Sequence, residues 1–230
     1  MVEDRIKTGI KGFDNLIEGG FPKGSNILLS GGPGTGKTIF SIQYLYNGII
    51  NDKEIGIYFS FEEKRNSIIT QAKQFGLDLE KLEKQGKLKI IDLGTDEISK
   101  TTIGDILEII KNFKAKRVVI DSITTISYLS PENEFHNVSE YAVKKFIYSF
   151  ITRFKEIEDL TTIFISQRDE VLSNRISEYI CDGIIKVEYE SLGGDYSRNL
   201  TISKMRKTKN NEDLHPLQIC DKGIVIHNLE

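Results

Sequence analysis

The sequence of 230 residues lacks the long apolar run that a membrane-spanning helix requires. Its apolar stretches fall short of the roughly 18 residues such a helix needs, and Met1–Arg5 has no basic flank followed by an apolar core. We therefore expect no membrane association and no secretory signal. Cysteine is scarce: Cys181 and Cys220 form no C-x-x-C pattern, which favours buried thiols in a reducing, cytoplasmic location over a disulfide or a metal site.

The sequence also lacks an excess of basic charge. Its 31 Lys and Arg residues are balanced by 34 Asp and Glu residues, for a formal net charge of −3. Proteins that bind nucleic acids or membranes mainly by electrostatic attraction usually carry a basic domain. The composition therefore argues against both functions while leaving a local basic patch open.

Signs of a linker are missing as well. The sequence has four prolines and no tract rich in serine and glycine, so nothing in it indicates a boundary between domains. A chain of this length buries enough surface to fold without disulfides. We expect residues 1–230 to form a single domain, in which residues 1–25, with five glycines, form a turn-rich amino-terminal segment.

What the sequence does contain is an alternation of short apolar runs and segments of helical periodicity. Repeated strand–helix units predict a mostly parallel α/β sheet with helices on both faces. After Ser166 the pattern predicts strands alone, which indicates an antiparallel carboxy-terminal extension at one edge of the sheet. The predicted strands are Ile27–Ser30, Ile55–Ser60, Lys87–Leu93, Arg117–Asp121, Thr161–Ser166, Asp182–Glu190, Arg198–Lys204, Leu214–Ile219 and Ile224–Ile226.

The most informative segment is the glycine-rich run from Gly31 to Thr38. It matches G-x-x-x-x-G-K-S/T and lies between a predicted strand and a predicted helix, the context that a phosphate-binding loop requires. Its glycines let backbone amides surround phosphate oxygens, and the helix that begins near Lys37 directs its positive dipole end at them. We expect Lys37 to contact the β- and γ-phosphates and Thr38 to ligate Mg²⁺. The predicted nucleotide-binding residues here are Gly32, Pro33, Gly34, Thr35, Gly36, Lys37, Thr38 and Ile39.

Polar side chains follow three other predicted strands. Asp121 ends a strand that we expect beside the phosphate-loop strand, which makes it a candidate Mg²⁺ ligand. Glu62 and Glu63 are candidates for orienting and deprotonating water, although acids are also common at helix amino termini. Gln167 is a candidate sensor of the γ-phosphate, or an ordinary polar strand end.

Together these motifs resemble a KaiC domain, a member of the RecA-like P-loop ATPases. The resemblance spans nearly the whole chain, in the family's order. It implies a RecA-like core, Mg-dependent ATP hydrolysis and a ring, usually a homohexamer, with nucleotide sites at the subunit interfaces. The segments that carry it are Thr8–Gly24, Ser30–Thr38, Phe61–Glu63, Val119–Ser122, Asp182–Ile185 and Lys204–Arg206.

The resemblance also implies roles for residues outside the loop. Glu62 and Glu63 match the catalytic carboxylates of the family. Lys204 and Arg206 match cations that reach the nucleotide of the next subunit. Because they are two residues apart on a strand, they would share one face and could stabilise the charge of the transition state. The alternative is that they form an ordinary solvated strand face. Further positions that match near the nucleotide are Gln74, near the base, and Arg198, Met205, Thr208 and Asp221, near the intersubunit site.

Two positions depart from the KaiC pattern. The clock protein has two such domains and a Ser-Thr phosphoacceptor pair where this chain has Glu178 and Tyr179, with Ser177 the nearest hydroxyl, so the sequence does not predict autokinase activity. Asn210 replaces a histidine often found six residues after the strand lysine, which affects contacts to the adenine or ribose.

Two other functions stay open. RecA and RadA share this core and bind DNA, but Ser127–Val143, where a DNA loop would lie, holds three acids and no Lys or Arg, and Arg168–Glu178 mixes both signs. Because DNA binding needs cations that displace counterions, nucleic acid is possible but not favoured as a partner. A scaffold that hydrolyses ATP slowly and signals through its bound nucleotide differs from a faster ATPase only in turnover rate.

Overall fold

A computed structural model of the chain describes residues 4–94, 103–127, 140–167, 171–189 and 197–228. Its strands are β1 (Arg5–Ile6), β2 (Phe21–Pro22), β3 (Asn26–Gly31), β4 (Gly56–Ser60), β5 (Leu88–Asp92), β6 (Arg117–Asp121), β7 (Thr161–Gln167), β8 (Gly183–Tyr189), β9 (Arg198–Met205), β10 (His215–Cys220) and β11 (Gly223–Ile226). Its helices are α1 (Lys37–Asn51), α2 (Arg65–Gln74), α3 (Leu79–Lys84), α4 (Ile103–Phe113), α5 (Ile123–Ser127), α6 (Glu140–Phe154) and α7 (Val171–Ile180), with a 3-10 turn at Asp14–Ile17.

A large sheet organises the described residues, in the order β11-β10-β9-β8-β3-β7-β6-β4-β5. The strands from β8 to β5 in this order are parallel to one another. Strands β9, β10 and β11 pair antiparallel beyond β8. The predicted mostly parallel sheet with an antiparallel carboxy-terminal extension is confirmed.

Helices cover both faces of this sheet, as the strand–helix alternation predicts. Successive residues of β3 show why: Ile27 and Leu29 join the hydrophobic core on one face, with α1 and α2, while Leu28 joins the core on the other, with α4 and α6. None of the described helices combines the length and apolarity that crossing a membrane would take.

The structure corrects the sequence prediction in the region after β7. Only strands were predicted there, but Val171–Ile180 forms helix α7. Residues 168–178 were expected to form a loop, whereas Ile176 and Ile180 have the four-residue spacing of one helix face and pack on the core. Residues 128–139 and 168–170, which carry much of the two candidate DNA loops, lie outside the described residues.

A buried arginine ties β6 to helix α1. Arg117 is only 1% exposed; it pairs with Asp52 at 2.9 Å and with Glu54, and it donates to the Tyr44 carbonyl at 3.0 Å. Its guanidinium lies 4.7 Å from the centroid of the Tyr44 ring. Gly48 makes room for it, because a Cβ there would lie 2.0 Å from Arg117 Nε.

We predict that Gly48→Ala destabilises the fold. Alanine favours a helix over glycine by about 1 kcal/mol, but here its methyl group would displace a guanidinium held by several partners, so we expect a net loss of about 1–3 kcal/mol in the free energy of unfolding. Urea denaturation measures the loss. Asn51→Ala, at an exposed position of the same helix, is the control and should change stability little; equal behaviour of both variants would contradict the packing described.

Candidate functional site

The glycine-rich loop joins the end of β3 to the start of α1. Gly34 and Gly36 adopt φ angles of 70° and 106°, a left-handed conformation that favours glycine. The Thr35 hydroxyl donates to the Gly32 carbonyl at 2.9 Å and holds the turn. A Cβ at Gly31 would lie 2.2 Å from the carbonyl oxygen of Val187 on β8, so the loop also needs glycine to pack against the sheet.

Lys37 lies over this loop as a nearly buried cation. Its Nζ donates to the carbonyls of Gly31 at 2.8 Å and Gly32 at 2.7 Å. Burial lowers the pKa of Lys37, and the nearby charges of Asp121 and Glu62 oppose that shift. A buried ammonium that is held mainly by loop carbonyls is suited to bind a phosphate anion, which would stabilise its charge.

Tyr58 connects the two predicted Mg²⁺ ligands, and the sequence did not single it out. Its hydroxyl donates to Asp121 Oδ2, and Thr38 lies close enough to oppose the rise in the pKa of Tyr58 that burial causes. Asp121 is 8% exposed; burial, together with Glu62 and Glu63, raises its pKa to about 6 against the hydrogen bond from Tyr58 and the charge of Lys37. A hydroxyl and a carboxylate are the hard oxygen donors that Mg²⁺ takes beside phosphates and water, so these residues fit that ion.

The position of Asp121 differs in one respect from the prediction. Strand β7 lies between β3 and β6, so Asp121 is two strands away from the loop strand and not on its neighbour. The neighbour ends in Gln167, which pairs with Gly31 in the register of β3 and β7. Because all three strands are parallel, their carboxyl ends still meet at one edge of the sheet.

The structure separates the two glutamates that the sequence treats as equivalent. Glu62 is directed towards the strand ends: its carboxylate accepts hydrogen bonds from Ser122, from Thr125 at 2.8 Å and from Gln167 at 3.1 Å. Glu63 is turned towards helix α2, and the hydrogen-bond donors to its carboxylate, Ser67 and Gln71, both belong to that helix. Of the two carboxylates, only that of Glu62 is directed towards the strand ends beside the loop.

Lys204 and Arg206 lie at the edge formed by the amino ends of the parallel strands, whereas their own phosphate loop lies at the carboxyl ends. Gly183 of β8 pairs with Ile27 at the start of β3, and Met205 of β9 lies opposite Gly183. The loop begins at the other end of β3, about 13 Å from Ile27 at ~3.3 Å per residue. These two side chains therefore do not reach the loop of their own chain.

Each of these cations is held by contacts within the chain. Lys204 Nζ donates to the carbonyls of Glu178 at 3.0 Å and Cys181 at 2.7 Å, at the end of α7. Arg206, one residue beyond β9, donates to Asp182 at 3.3 Å. Met205 between them is buried.

Arg198 and Asp221 lie on the loop side of the chain and not with Lys204. The Arg198 guanidinium lies 4.7 Å from the Tyr189 ring centroid and donates to the Gly34 carbonyl at 3.4 Å. Asp221 is exposed in the turn between β10 and β11, strands whose Ile219 and Ile224 side chains border Gly36. The antiparallel strands bring these residues close to the phosphate loop of their own chain.

Thr208 and Gln74 lie further from the loop. Thr208 accepts a hydrogen bond from Arg5 at 2.6 Å at the opposite edge of the sheet. Gln74 is exposed at the last residue of α2, about 14 Å along the helix from its start near Glu63. Asn210 donates to the Ile202 carbonyl at 2.9 Å, and Ile39 packs against the core.

This sheet order and this loop define a P-loop nucleotide-binding protein with a RecA-like core. The sequence matches the family described as "ATPase: KaiC" over residues 6–230, and the chain belongs to that family of ATP-binding P-loop proteins. It is 36% identical to a UPF0273 protein of Sulfurisphaera tokodaii over 96% of this chain and 82% of that one. It is 35% identical to the circadian clock oscillator protein KaiC of Prochlorococcus marinus, covering all of this chain and 46% of KaiC.

The fold agrees with a solved structure of the family. A KaiC-like protein of the hyperthermophilic archaeon Pyrococcus horikoshii superimposes with a TM-score of 0.84 at 35% sequence identity. The match covers 98% of this chain and 100% of that one. The resemblance inferred from the sequence motifs is confirmed.

Proposed function

We propose that this protein is a Mg-dependent ATPase that acts as a ring of identical subunits, each nucleotide lying between two neighbours. One observation carries the proposal: the phosphate loop and Glu62 lie at one edge of the sheet, and Lys204 and Arg206 lie at the other. A head-to-tail ring, in which one edge of each subunit meets the opposite edge of the next, joins these two halves into one site.

Within one site the proposed roles follow from position. The loop amides and Lys37 bind the β- and γ-phosphates, and Thr38 and Asp121 would hold Mg²⁺, which would offset phosphate charge when bound. Glu62 orients the attacking water and accepts its proton, and Gln167 holds that carboxylate in place. Lys204 and Arg206 of the neighbouring subunit stabilise the charge on the transferred phosphoryl group.

The assembly is tested by measuring mass in solution and ATP turnover together. With Mg·ATP we expect light scattering to give a mass several times the 26.1 kDa of one chain, together with release of phosphate. A chain that stays monomeric at saturating Mg·ATP yet hydrolyses it would contradict the shared site. Assembly without turnover would instead identify a nucleotide-state scaffold.

The metal role of Asp121 predicts a loss of Mg-dependent affinity without a loss of stability. Asp121→Asn keeps an acceptor for Tyr58 and removes a charge that burial disfavours, so the nucleotide-free protein should be at least as stable as wild type. Its affinity for a fluorescent ATP analogue should fall at least about 10-fold with Mg²⁺ and change little in EDTA. Asp92→Asn, at the end of β5, is the matched control; equal losses in both variants would contradict the assignment.

A further inference from the structure

A cleft of about 380 Å³ opens at the edge of the sheet opposite the phosphate loop. Its lining carries four cations and one acid: Lys23, Lys155, Arg206, Lys207 and Asp182. We propose that Asp182 is a positioning residue for Arg206, holding its guanidinium in the pose from which it meets the nucleotide of the neighbouring subunit. This proposal rests on the shared site of the proposed function.

Asp182 is itself fixed to the strand that leads to the phosphate loop. Its Oδ2 accepts a hydrogen bond from the backbone amide of Asn26 at 3.0 Å, and its own amide donates to the Asn26 carbonyl at 2.7 Å. The Asp182 side chain is 17% exposed. A carboxylate anchored at both backbone and side chain to the first residue of β3 is a rigid reference point.

The other oxygen of Asp182 holds the cations of the cleft. Oδ1 accepts from Lys155 at 2.8 Å and from Arg206 at 3.3 Å. The Arg206 amide also donates to the Asp182 carbonyl at 2.8 Å, so both the main chain and the side chain of Arg206 are tied to this residue. The contact with Asp182 Oδ1 uses one of the five N–H donors of the guanidinium. Because the Arg206 side chain is 50% exposed, other N–H donors remain accessible to a ligand.

Two physical effects follow from this arrangement. An arginine side chain loses much rotamer freedom when it binds phosphate, and a partner that already restrains it reduces that loss. Asp182 also offsets the crowding of Lys155, Lys204 and Arg206. Burial and the charges of Arg206 and Lys155 lower the pKa of Lys204, and Asp182 opposes this shift, which helps to keep Lys204 cationic.

Asp182→Asn should therefore impair the subunit as a donor of Arg206 and leave its own nucleotide loop intact. We expect kcat to fall about 10- to 100-fold with little change in the KM for ATP, the effect of a misplaced catalytic group. Mixing this variant with Glu62→Gln subunits should restore part of the turnover, because the second variant supplies an intact Asp182–Arg206 pair to the loop of the first.

A purely structural role of Asp182 is tested with Lys155. Asp182→Asn leaves Lys155 without its partner, which should lower thermal stability. The double variant Asp182→Asn/Lys155→Met should recover that stability and still hydrolyse ATP slowly. Lys155→Met alone should retain wild-type turnover. Recovery of turnover in the double variant, or wild-type kcat in Asp182→Asn, would overturn the positioning role. Mixing with Glu62→Gln subunits is also done with Arg206→Ala. If neither Arg206→Ala nor Asp182→Asn regains turnover, the shared site is wrong, and the positioning role of Asp182 with it. If Arg206→Ala regains turnover and Asp182→Asn does not, only the positioning role is wrong.

Discussion

Glu62→Gln should abolish most ATP turnover while the protein still binds Mg·ATP. The Glu62 carboxylate faces the strand ends, where Ser122, Thr125 and Gln167 hold it, and its charge acts on Lys37 over the loop. An amide of the same shape keeps acceptor capacity but cannot take a proton from water. Removing a general base of this kind costs about 10²- to 10⁴-fold in rate.

Glu63→Gln is the matched control for this prediction. It follows Glu62 directly, but its carboxylate accepts from Ser67 and Gln71 of helix α2 and so points away from the strand ends. We expect less than about a 10-fold loss of turnover, below the range for a general base. Steady-state phosphate release at saturating ATP, with binding measured separately, compares the two. A larger loss for Glu63→Gln than for Glu62→Gln would contradict the assignment of the base.

Arg206→Ala should lose about 10³- to 10⁵-fold in turnover, the range for an arginine that stabilises phosphoryl-transfer charge. The variant keeps its own loop, Lys37 and Glu62, so its affinity for nucleotide should fall much less than its rate. Lys209→Ala removes an exposed cation three residues further along the chain and controls for charge. Turnover near wild type in Arg206→Ala would mean that the exposed guanidinium takes no part in the reaction.

The phosphate loop and the sheet class could be predicted from the sequence because their signals are local. The glycines before Lys37 and Thr38 dictate a turn between a strand and a helix, and apolar runs alternating with helical periodicity dictate a parallel sheet. Asp121 is a candidate Mg²⁺ ligand on the sequence alone because it ends such a run. The family resemblance added Lys204 and Arg206, which no local pattern would single out.

Contacts between distant segments account for what the sequence did not show. Strand β7 lies between β3 and β6 because of how the strands pair, and the sequence of a single strand does not show its neighbours. The different directions of Glu62 and Glu63 depend on side-chain partners from three other elements. Tyr58 lies in an apolar strand and has the pattern of a core residue; only the fold brings its hydroxyl to Asp121. Helix α7 was missed because charged residues mask its apolar spacing.

If two subunits complete one site, two inactive variants that each lack a different half should restore turnover when mixed, and this mixing tests the shared site most directly. Arg206→Ala contributes an intact loop and Glu62, and Glu62→Gln contributes an intact Arg206. In rings assembled at random from equal amounts, about one head-to-tail interface in four combines both intact halves. We predict that the mixture hydrolyses ATP far faster than either variant alone; turnover no higher than the average of the two would contradict a site shared between subunits.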